Sequence, residues 1–548
     1  MRWLKVYRLP ILSALAFNLT FYPWRLEWLI WIAAVPLLLW LSQPERTMPQ
    51  TVAGLVMVGA IYHVTLLAPF LSLGWWGWGA TSAEGVHQYF TYAHLFMVLL
   101  VMVVALWGGV VLAMIGQLIR PSLTNPLESL WLVPSLWVVV LEYLGHRTVF
   151  GFSWGLIGNR LHGAETIRQV ARLTGVYGLS VLVMMVNALV ASWVIHVHTT
   201  RRQPRKTPQR TAVRIPRSLF GATAIGLIVI GGSVLYGRTQ LQQKISRALP
   251  ISVTLLQGSR AEYTVDDFTS EGLDRLYEPM LKQAVGKGST LVVLPETVWL
   301  KTLQLDGTTS PWAQEPLSID AMQQLLAKLL RETSTVVIFG IDAVSGSRMY
   351  NTTIVWSKDG LRGVYRKRRL VPFSEYLPAL LGRWAPQNRI HGEQFVFTPG
   401  EGSQLIRLNG VVLGPFICQE VMFPSLVRQS VRDGAQLLVT TGNDGVFTSP
   451  IVAWEQAGLA QLRAVENGRY LLRCMKSGIS AIIDPQGRIM ASAPLHAQMS
   501  VVGDVQPIGE LTWYTRHGDW IAWLAGVLLL VRFVAYGVRA RARAAVVR

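Results

Sequence analysis

The sequence predicts an α-helical polytopic membrane protein of about eight spans, with an α/β domain inserted before the last span. Three observations carry this reading. Eight apolar stretches punctuate the chain, and the region between the seventh and eighth, residues 238–518, is too polar for a membrane. Inside that region short strand-like runs alternate with helix-like segments, the pattern of an α/β domain. The composition agrees: 51% of the 548 residues are hydrophobic, 21 are Trp, and the mean hydropathy is +0.36.

The apolar stretches fall at about 9–24, 28–42, 51–72, 93–119, 130–145, 176–198, 219–236 and 519–537. The fourth, sixth and seventh are long and uninterrupted, as a hydrocarbon core of ~30 Å requires. The first, second and fifth are shorter or carry a polar residue such as Glu142. Arg2, Lys5 and Arg8 form a basic start, but the apolar run before Ala14-Leu-Ala16 is too short for a signal peptide. The expected domains are 1–237, an N-terminal transmembrane domain of about seven helices; 238–518, the inserted domain; and 519–548, a final helix with a basic tail.

The net charge of +19 is unevenly spread. Residues 238–518 carry 28 Lys and Arg against 24 Asp and Glu, so nearly all the excess belongs to the helical part. Basic segments beside apolar spans are orientation signals, and no nucleic-acid partner is expected. Placing the N-terminus in the cytoplasm also puts Arg120, the loop Arg201 to Arg217 and the tail Arg539 to Arg548 there. That loop holds seven Lys and Arg, broken by Pro204, Pro208 and Pro216. Gly74-Trp-Trp-Gly-Trp78 then becomes an aromatic belt on the opposite side, and the insert lies outside the cytoplasm.

Within the insert the strand-like runs are Ile251–Gln257, Thr290–Leu294, Thr335–Gly340, Thr352–Trp356, Val411–Cys418, Leu437–Thr441 and Ala481–Asp484. Ser318–Arg331 and Trp454–Glu466 read as helices, and Arg463 and Glu466, one turn apart, as a structural pair. Three reactive side chains close such runs: Glu296 after Leu291-Val-Val-Leu-Pro, Lys367 after Val364-Tyr-Arg, and Cys418 in Gly414-Pro-Phe-Ile-Cys-Gln-Glu420. Strand ends are where loops gather and sites form. An acid, an amine and a thiol are the parts of a thiol acyl-transfer centre, in which the ammonium lowers the thiol pKa and the carboxylate moves the proton. The other cysteine, Cys474, reads as a buried strand residue, and two cysteines make no disulfide framework. Ten His show no ligand-type cluster, His87 and His94 being isolated, so neither a metal nor a cofactor is expected.

The words around these residues resemble the nitrilase superfamily, and specifically its membrane-embedded branch, the apolipoprotein N-acyltransferases. Leu294-Pro-Glu296 is similar to the family's glutamate motif. Tyr350-Asn-Thr352, Tyr365-Arg-Lys367 and Leu370-Val-Pro-Phe-Ser-Glu-Tyr-Leu-Pro378 are similar to its lysine region. Ile417-Cys-Gln-Glu420 is similar to its nucleophile motif, and Gly442-Asn-Asp444 to the segment that follows. Gly151-Phe-Ser-Trp154, Leu173-Thr-Gly-Val-Tyr-Gly-Leu-Ser180 and Thr512-Trp-Tyr-Thr-Arg-His-Gly-Asp-Trp520 extend the resemblance over nearly the whole chain. Departures lie at Gln419, Ser374, Arg368 and Arg369, and in the run Gly445-Val-Phe447, where an aromatic usually follows Asn-Asp directly.

The resemblance implies a four-layer α-β-β-α sandwich for the insert and a bacterial inner-membrane location, with this domain on the periplasmic side. It also implies a ping-pong N-acyltransferase: Cys418 takes an acyl chain from a phospholipid donor and passes it to the α-amino group of a diacylglyceryl lipoprotein. Glu296 is then the base and Lys367 the oxyanion partner, with a backbone N–H just after Cys418. Glu375 and Glu420 support the lysine and the geometry. Like-charged neighbours around Lys367 would depress its pKa. Two apolar loops, Trp299–Leu305 and Leu377–Trp384, could rest in the bilayer surface. The alternatives are a membrane-anchored amidase or other hydrolase, a related acyltransferase with another acceptor, and a degenerate scaffold.

Overall fold

The computed structural model describes residues 2–21, 26–68, 83–145, 153–202, 215–245, 248–258, 270–299, 301–310, 313, 315–372, 375–376, 397–408, 410–444 and 449–547. The aromatic segment Gly74–Trp78, most of the basic loop (203–214), the loop Leu377–Trp384, and Gly151, Phe152, Ser374 and Gly445–Phe447 lie outside the described residues, as do the side chains of His87 and His94. Two compact units emerge: a helical one from Met1–Leu71, Thr91–Leu241 and His517–Arg548, and an α/β one centred on Gln242–Arg516.

In the helical unit every predicted apolar stretch carries helix. Among the described residues six helices are long and apolar enough to cross a membrane: Met48–Leu67, Val101–Thr124, Pro126–Leu144, Ala171–Arg201, Arg217–Gln242 and Trp520–Val538. The first two of the eight apolar stretches are not among these six. Arg2–Leu19 carries three basic residues, and 27–41 breaks into a 3₁₀ turn (Glu27–Trp31) and a short helix (Val35–Leu41). The fifth stretch is longer than its apolar run suggests, since its helix starts at Pro126, where the Asn125 side chain accepts from Leu127 N–H. Five of these six precede the insert, an odd number. Two of the sequence words meet in this unit, where Trp520 Nε1 donates to the Leu173 carbonyl at 2.8 Å. Gly175, at φ +64°, supplies the left-handed kink in the helix Ala171–Arg202.

The α/β unit holds fourteen strands among the described residues: β1 (Ile251–Gln257), β2 (Leu291–Val293), β3 (Thr302–Gln304), β4 (Pro316–Ser318), β5 (Val336–Ser345), β6 (Arg348–Ser357), β7 (Gly360–Arg366), β8 (Ile406–Leu408), β9 (Val411–Ile417), β10 (Leu437–Gly442), β11 (Leu471–Met475), β12 (Ala481–Ile483), β13 (Ile489–Ser492) and β14 (Met499–Val505). One sheet runs β14-β1-β2-β5, with β3 and β4 beyond β5 on that side and β6-β7 on its other flank; the second runs β13-β12-β11-β10-β9-β8. Parallel pairing of β1, β2 and β5, and of β9, β10 and β11, buries these strands on both faces, so they appear in sequence as unbroken apolar runs.

Alternation then assigns the faces. On β5, Val337, Phe339, Ile341 and Ala343 pack against the helices Ser270–Gly286 and Ile319–Leu330, in a core that also holds Tyr277, Leu281, Met322 and Leu326. Ile338 faces the second sheet, in an inter-sheet core with Val253, Leu255, Val293, Leu413, Val439, Leu472 and Cys474. Helices Pro424–Arg432 and Pro450–Asn467 cover the far side of the second sheet. The result is the four-layer α-β-β-α sandwich. Thr353 and Thr441 join the two sheets through their hydroxyls at 2.9 Å, close to where β9 and β10 end.

Three sequence expectations take their final form here. Cys474 is fully buried in the inter-sheet core, its thiol donating to the Val293 carbonyl at 3.2 Å. The segment Trp299–Leu305 does not rest in a bilayer: Trp299 and Leu303 are buried in the helix-side core, Trp299 edge-on to Phe339 at 4.9 Å. Arg463 and Glu466 are a buried pair at 2.8 Å.

Candidate active site

Each candidate side chain sits just beyond a strand. Past β2 the chain keeps strand-like bonds to β5: Leu294 N–H to Ile338 O, Gly340 N–H to Pro295 O and Val298 N–H to Gly340 O. Glu296 is thereby pressed onto the inter-sheet face of β5. Only glycine fits opposite it, because a Cβ on Gly340 would stand 2.5 Å from Glu296 Cα. Lys367 follows β7 and is pinned by its own N–H to the Asn351 carbonyl at 2.9 Å and by Gly400 N–H to its carbonyl at 2.8 Å. Cys418 follows β9 and opens a short 3₁₀ turn, Cys418–Met422.

Asn351, on β6, organises the acids. Its side-chain amide donates to Glu296 Oε1 at 2.7 Å and to Glu375 Oε1 at 2.8 Å. The Lys367 ammonium lies 2.9 Å from Glu375 Oε1 and 3.4 Å from Glu296 Oε1. Glu375 is fixed in turn by Val371 N–H on its other oxygen, at 2.7 Å. Glu296, Lys367, Glu375 and Cys418 are all buried. Burial lowers the Lys367 pKa, but the carboxylates of Glu375 and Glu296 outweigh it and hold the ammonium well above its usual value. The sequence expectation of a depressed lysine is therefore corrected: its close neighbours are acids, while Arg368 turns away to Gln429, Leu426 and Ser430.

The thiol also departs from expectation. Burial pushes the Cys418 pKa up and Glu296 pushes it further, against the downward pull of Lys367 and of the Asn443 backbone N–H. The resting residue is a neutral thiol, and a thiol in that state needs a base. Cys418 is held at φ +52° and Thr297, next to Glu296, at φ +51°, so left-handed non-glycine backbone lies at or beside both candidate groups.

Glu420 does not touch the lysine. It is fully buried and accepts four hydrogen bonds: from Arg368 N–H at 2.8 Å, Arg369 N–H at 2.9 Å, the Tyr365 hydroxyl at 2.7 Å and Ile417 N–H at 2.7 Å. It ties the chain just after Lys367 to the residue just before Cys418. Gln419, one of the departures, is partly exposed and reaches the Arg369 carbonyl at 3.3 Å. Asn351, Tyr365 and Asp342 were not singled out individually from sequence. Asn351 and Tyr365 open or centre motif words already noted, and an acid inside an apolar strand is the signal that marks Asp342.

The comparisons with known proteins bear on both units. Residues 13–189 match the family model for the apolipoprotein N-acyltransferase N-terminal domain, and residues 255–508 match that for carbon-nitrogen hydrolase. An apolipoprotein N-acyltransferase of Geobacter metallireducens is 28% identical over 526 residues, covering 94% of this chain and 92% of the relative. One from Gloeobacter violaceus is 28% identical over 527 residues, covering 92% and 89%. Over nearly its whole length the chain is similar to apolipoprotein N-acyltransferases. The solved structure of Saccharomyces cerevisiae Nit3, of branch 10 of the nitrilase superfamily, is 20% identical and covers 48% of this chain and 93% of its own, with a TM-score of 0.35. The protein is a membrane N-acyltransferase with several helices long and apolar enough to cross a membrane and a nitrilase-like domain.

Proposed function

We propose that Cys418 is the nucleophile of a two-step transfer in which a phospholipid acyl chain passes through a Cys418 thioester to the α-amino group of an S-diacylglyceryl-cysteine lipoprotein. The observation that carries this is the convergence of one carboxylate, one ammonium and one neutral thiol, all buried, at three strand ends of one domain. Glu296 takes the thiol proton as sulfur attacks the ester carbonyl and returns it to the departing lysophospholipid oxygen. Lys367 and the N–H groups at the head of the Cys418–Met422 turn stabilise the oxyanion. The amine then opens the thioester. Glu375 holds the lysine, and Glu420 holds the two loops in register.

The name the relatives carry supports an apolipoprotein amine as acceptor, and the setting in a membrane supports a lipid donor. Residues 238–518 form the catalytic domain on the periplasmic side of the bacterial inner membrane, with Arg201–Arg217 in the cytoplasm. Basic loops and an odd number of preceding spans support that orientation. Phosphatase activity from a reporter fused near Arg210, or none from one near Leu256, would reverse it.

Mass spectrometry of the enzyme incubated with phospholipid tests the chemistry. An acyl adduct on Cys418, discharged by a lipopeptide amine, is the expected result. Steady release of free fatty acid without an amine would make the protein a hydrolase instead.

A further inference from the structure

A further ionisable group stands in the site with no part in the mechanism so far. Asp342 is the direct cross-strand partner of Asn351, so their side chains share one face of the sheet. Gly340, two residues earlier on β5 and on the same face, is where Glu296 packs. The charged groups facing Asp342 are Glu296 from the turn after β2, Glu375, and Lys367 from the end of β7. Its other strand neighbour, Thr302 on β3, does not titrate. Three carboxyls thus share one ammonium. Asp342 is less deeply buried than Glu296 and Glu375, which makes it the least enclosed acid of the group.

The two-step reaction leaves a proton unassigned. Acylation is balanced, since the thiol proton leaves on the lysophospholipid hydroxyl. In the second step the acceptor is an α-amine with a pKa of about 8, so near neutral pH it arrives mostly as an ammonium. Forming the C–N bond and breaking the C–S bond then releases two protons from nitrogen. One returns to the Cys418 sulfur through Glu296. The other must leave.

We propose that Asp342 is the second proton acceptor of the aminolysis half-reaction, taking the surplus proton of the incoming ammonium and delivering it to solvent. This rests on the thioester reading above. Burial, then the negative charges of Glu296 and Glu375, push Asp342 up to about 7. A carboxylate near 7 exchanges protons with an amine near 8 at little cost, whereas an ordinary aspartate near 4 would be a poor acceptor.

The test separates the half-reactions of the full-length enzyme in detergent, with phosphatidylethanolamine as donor and a synthetic S-diacylglyceryl-cysteine peptide as acceptor. Asp342→Asn should slow discharge of the preformed thioester about tenfold to a hundredfold at pH 7. The deficit should shrink as pH passes that of the amine, and acylation of Cys418 should fall far less. Asp342→Glu, which keeps the carboxyl, should restore most of the aminolysis. Equal losses in both half-reactions, a deficit independent of pH, or no deficit would overturn the assignment. An unsubstituted enzyme that never forms the Cys418 adduct would instead overturn the thioester reading on which it rests.

Discussion

Lys367 sits 0.5 Å closer to Glu375 than to Glu296, at 2.9 Å against 3.4 Å. The asymmetry divides the work between two acids that otherwise look alike. Glu375 is held by three partners, Lys367, Asn351 and the Val371 amide, and is fixed in place beside the ammonium. Glu296 keeps the shorter of the two Asn351 bonds, 2.7 Å against 2.8 Å, and only the longer contact to Lys367, which leaves it the less restrained of the two carboxylates.

The nucleophile assignment predicts opposite fates for the two cysteines. Cys418→Ser should abolish turnover, since an alkoxide is far harder to form than a thiolate near neutral pH. Cys474→Ser should keep most activity, because its thiol serves only the inter-sheet core. Single-turnover assays with labelled phospholipid distinguish the two, and equal behaviour would place the nucleophile elsewhere.

Glu296 and Lys367 separate by half-reaction. Glu296→Gln should block acylation of Cys418. Lys367→Met should slow both acylation and aminolysis, each of which passes through an oxyanion, by roughly 10²–10³. Lys367→Arg should rescue incompletely, a planar guanidinium being unable to occupy the place of a compact ammonium between Glu296 and Glu375. Acyl-adduct formation at the normal rate in Lys367→Met would remove the lysine from the chemistry.

The raised thiol pKa gives a pH prediction whose sign follows from its causes. Alkylation of Cys418 by iodoacetamide requires the thiolate, so the rate should still be climbing at pH values where an ordinary cysteine, near 8.5, is already ionised. Removing a negative neighbour favours the thiolate and removing a positive one disfavours it. Glu296→Gln should therefore move the alkylation profile to lower pH, and Lys367→Met to higher pH. Profiles that coincide with that of a free thiol would show that burial does not control this cysteine.

Strands such as β1, β9 and β10 were legible in the sequence because both of their faces are buried, which leaves unbroken apolar runs. β13 and β14 were not, because they mix charged or exposed residues into their runs. The three reactive residues were visible as acid, amine and thiol after such runs. What could not be read was their state: the lysine's neighbours and the thiol's environment are set by chain segments far apart in sequence, Glu296 and Asn351 being 55 residues apart. The Thr335–Gly340 run stopped one turn of the pleat short of Asp342, since a charge there reads as the end of a strand when it is in fact the edge of the site.

Gly340 offers the strictest test of how tightly the fold fixes the base. Its backbone bonds to Pro295 and Val298 hold the Glu296 segment against β5, and nothing larger than hydrogen fits between Gly340 Cα and Glu296 Cα. Gly340→Ala would place a methyl 2.5 Å from that Cα, and the atom it meets is backbone, which cannot rotate away. Overpacking of this kind typically costs about 1–3 kcal/mol, so the domain should still fold with a lowered melting temperature. A shift of about 1 Å in a reacting group costs on the order of a hundredfold in rate. Gly340→Ala should therefore lose most of the Cys418 acylation rate while alkylation of the thiol by iodoacetamide remains measurable. Full acylation in a stably folded Gly340→Ala enzyme would mean that the position of Glu296 is not what limits the reaction.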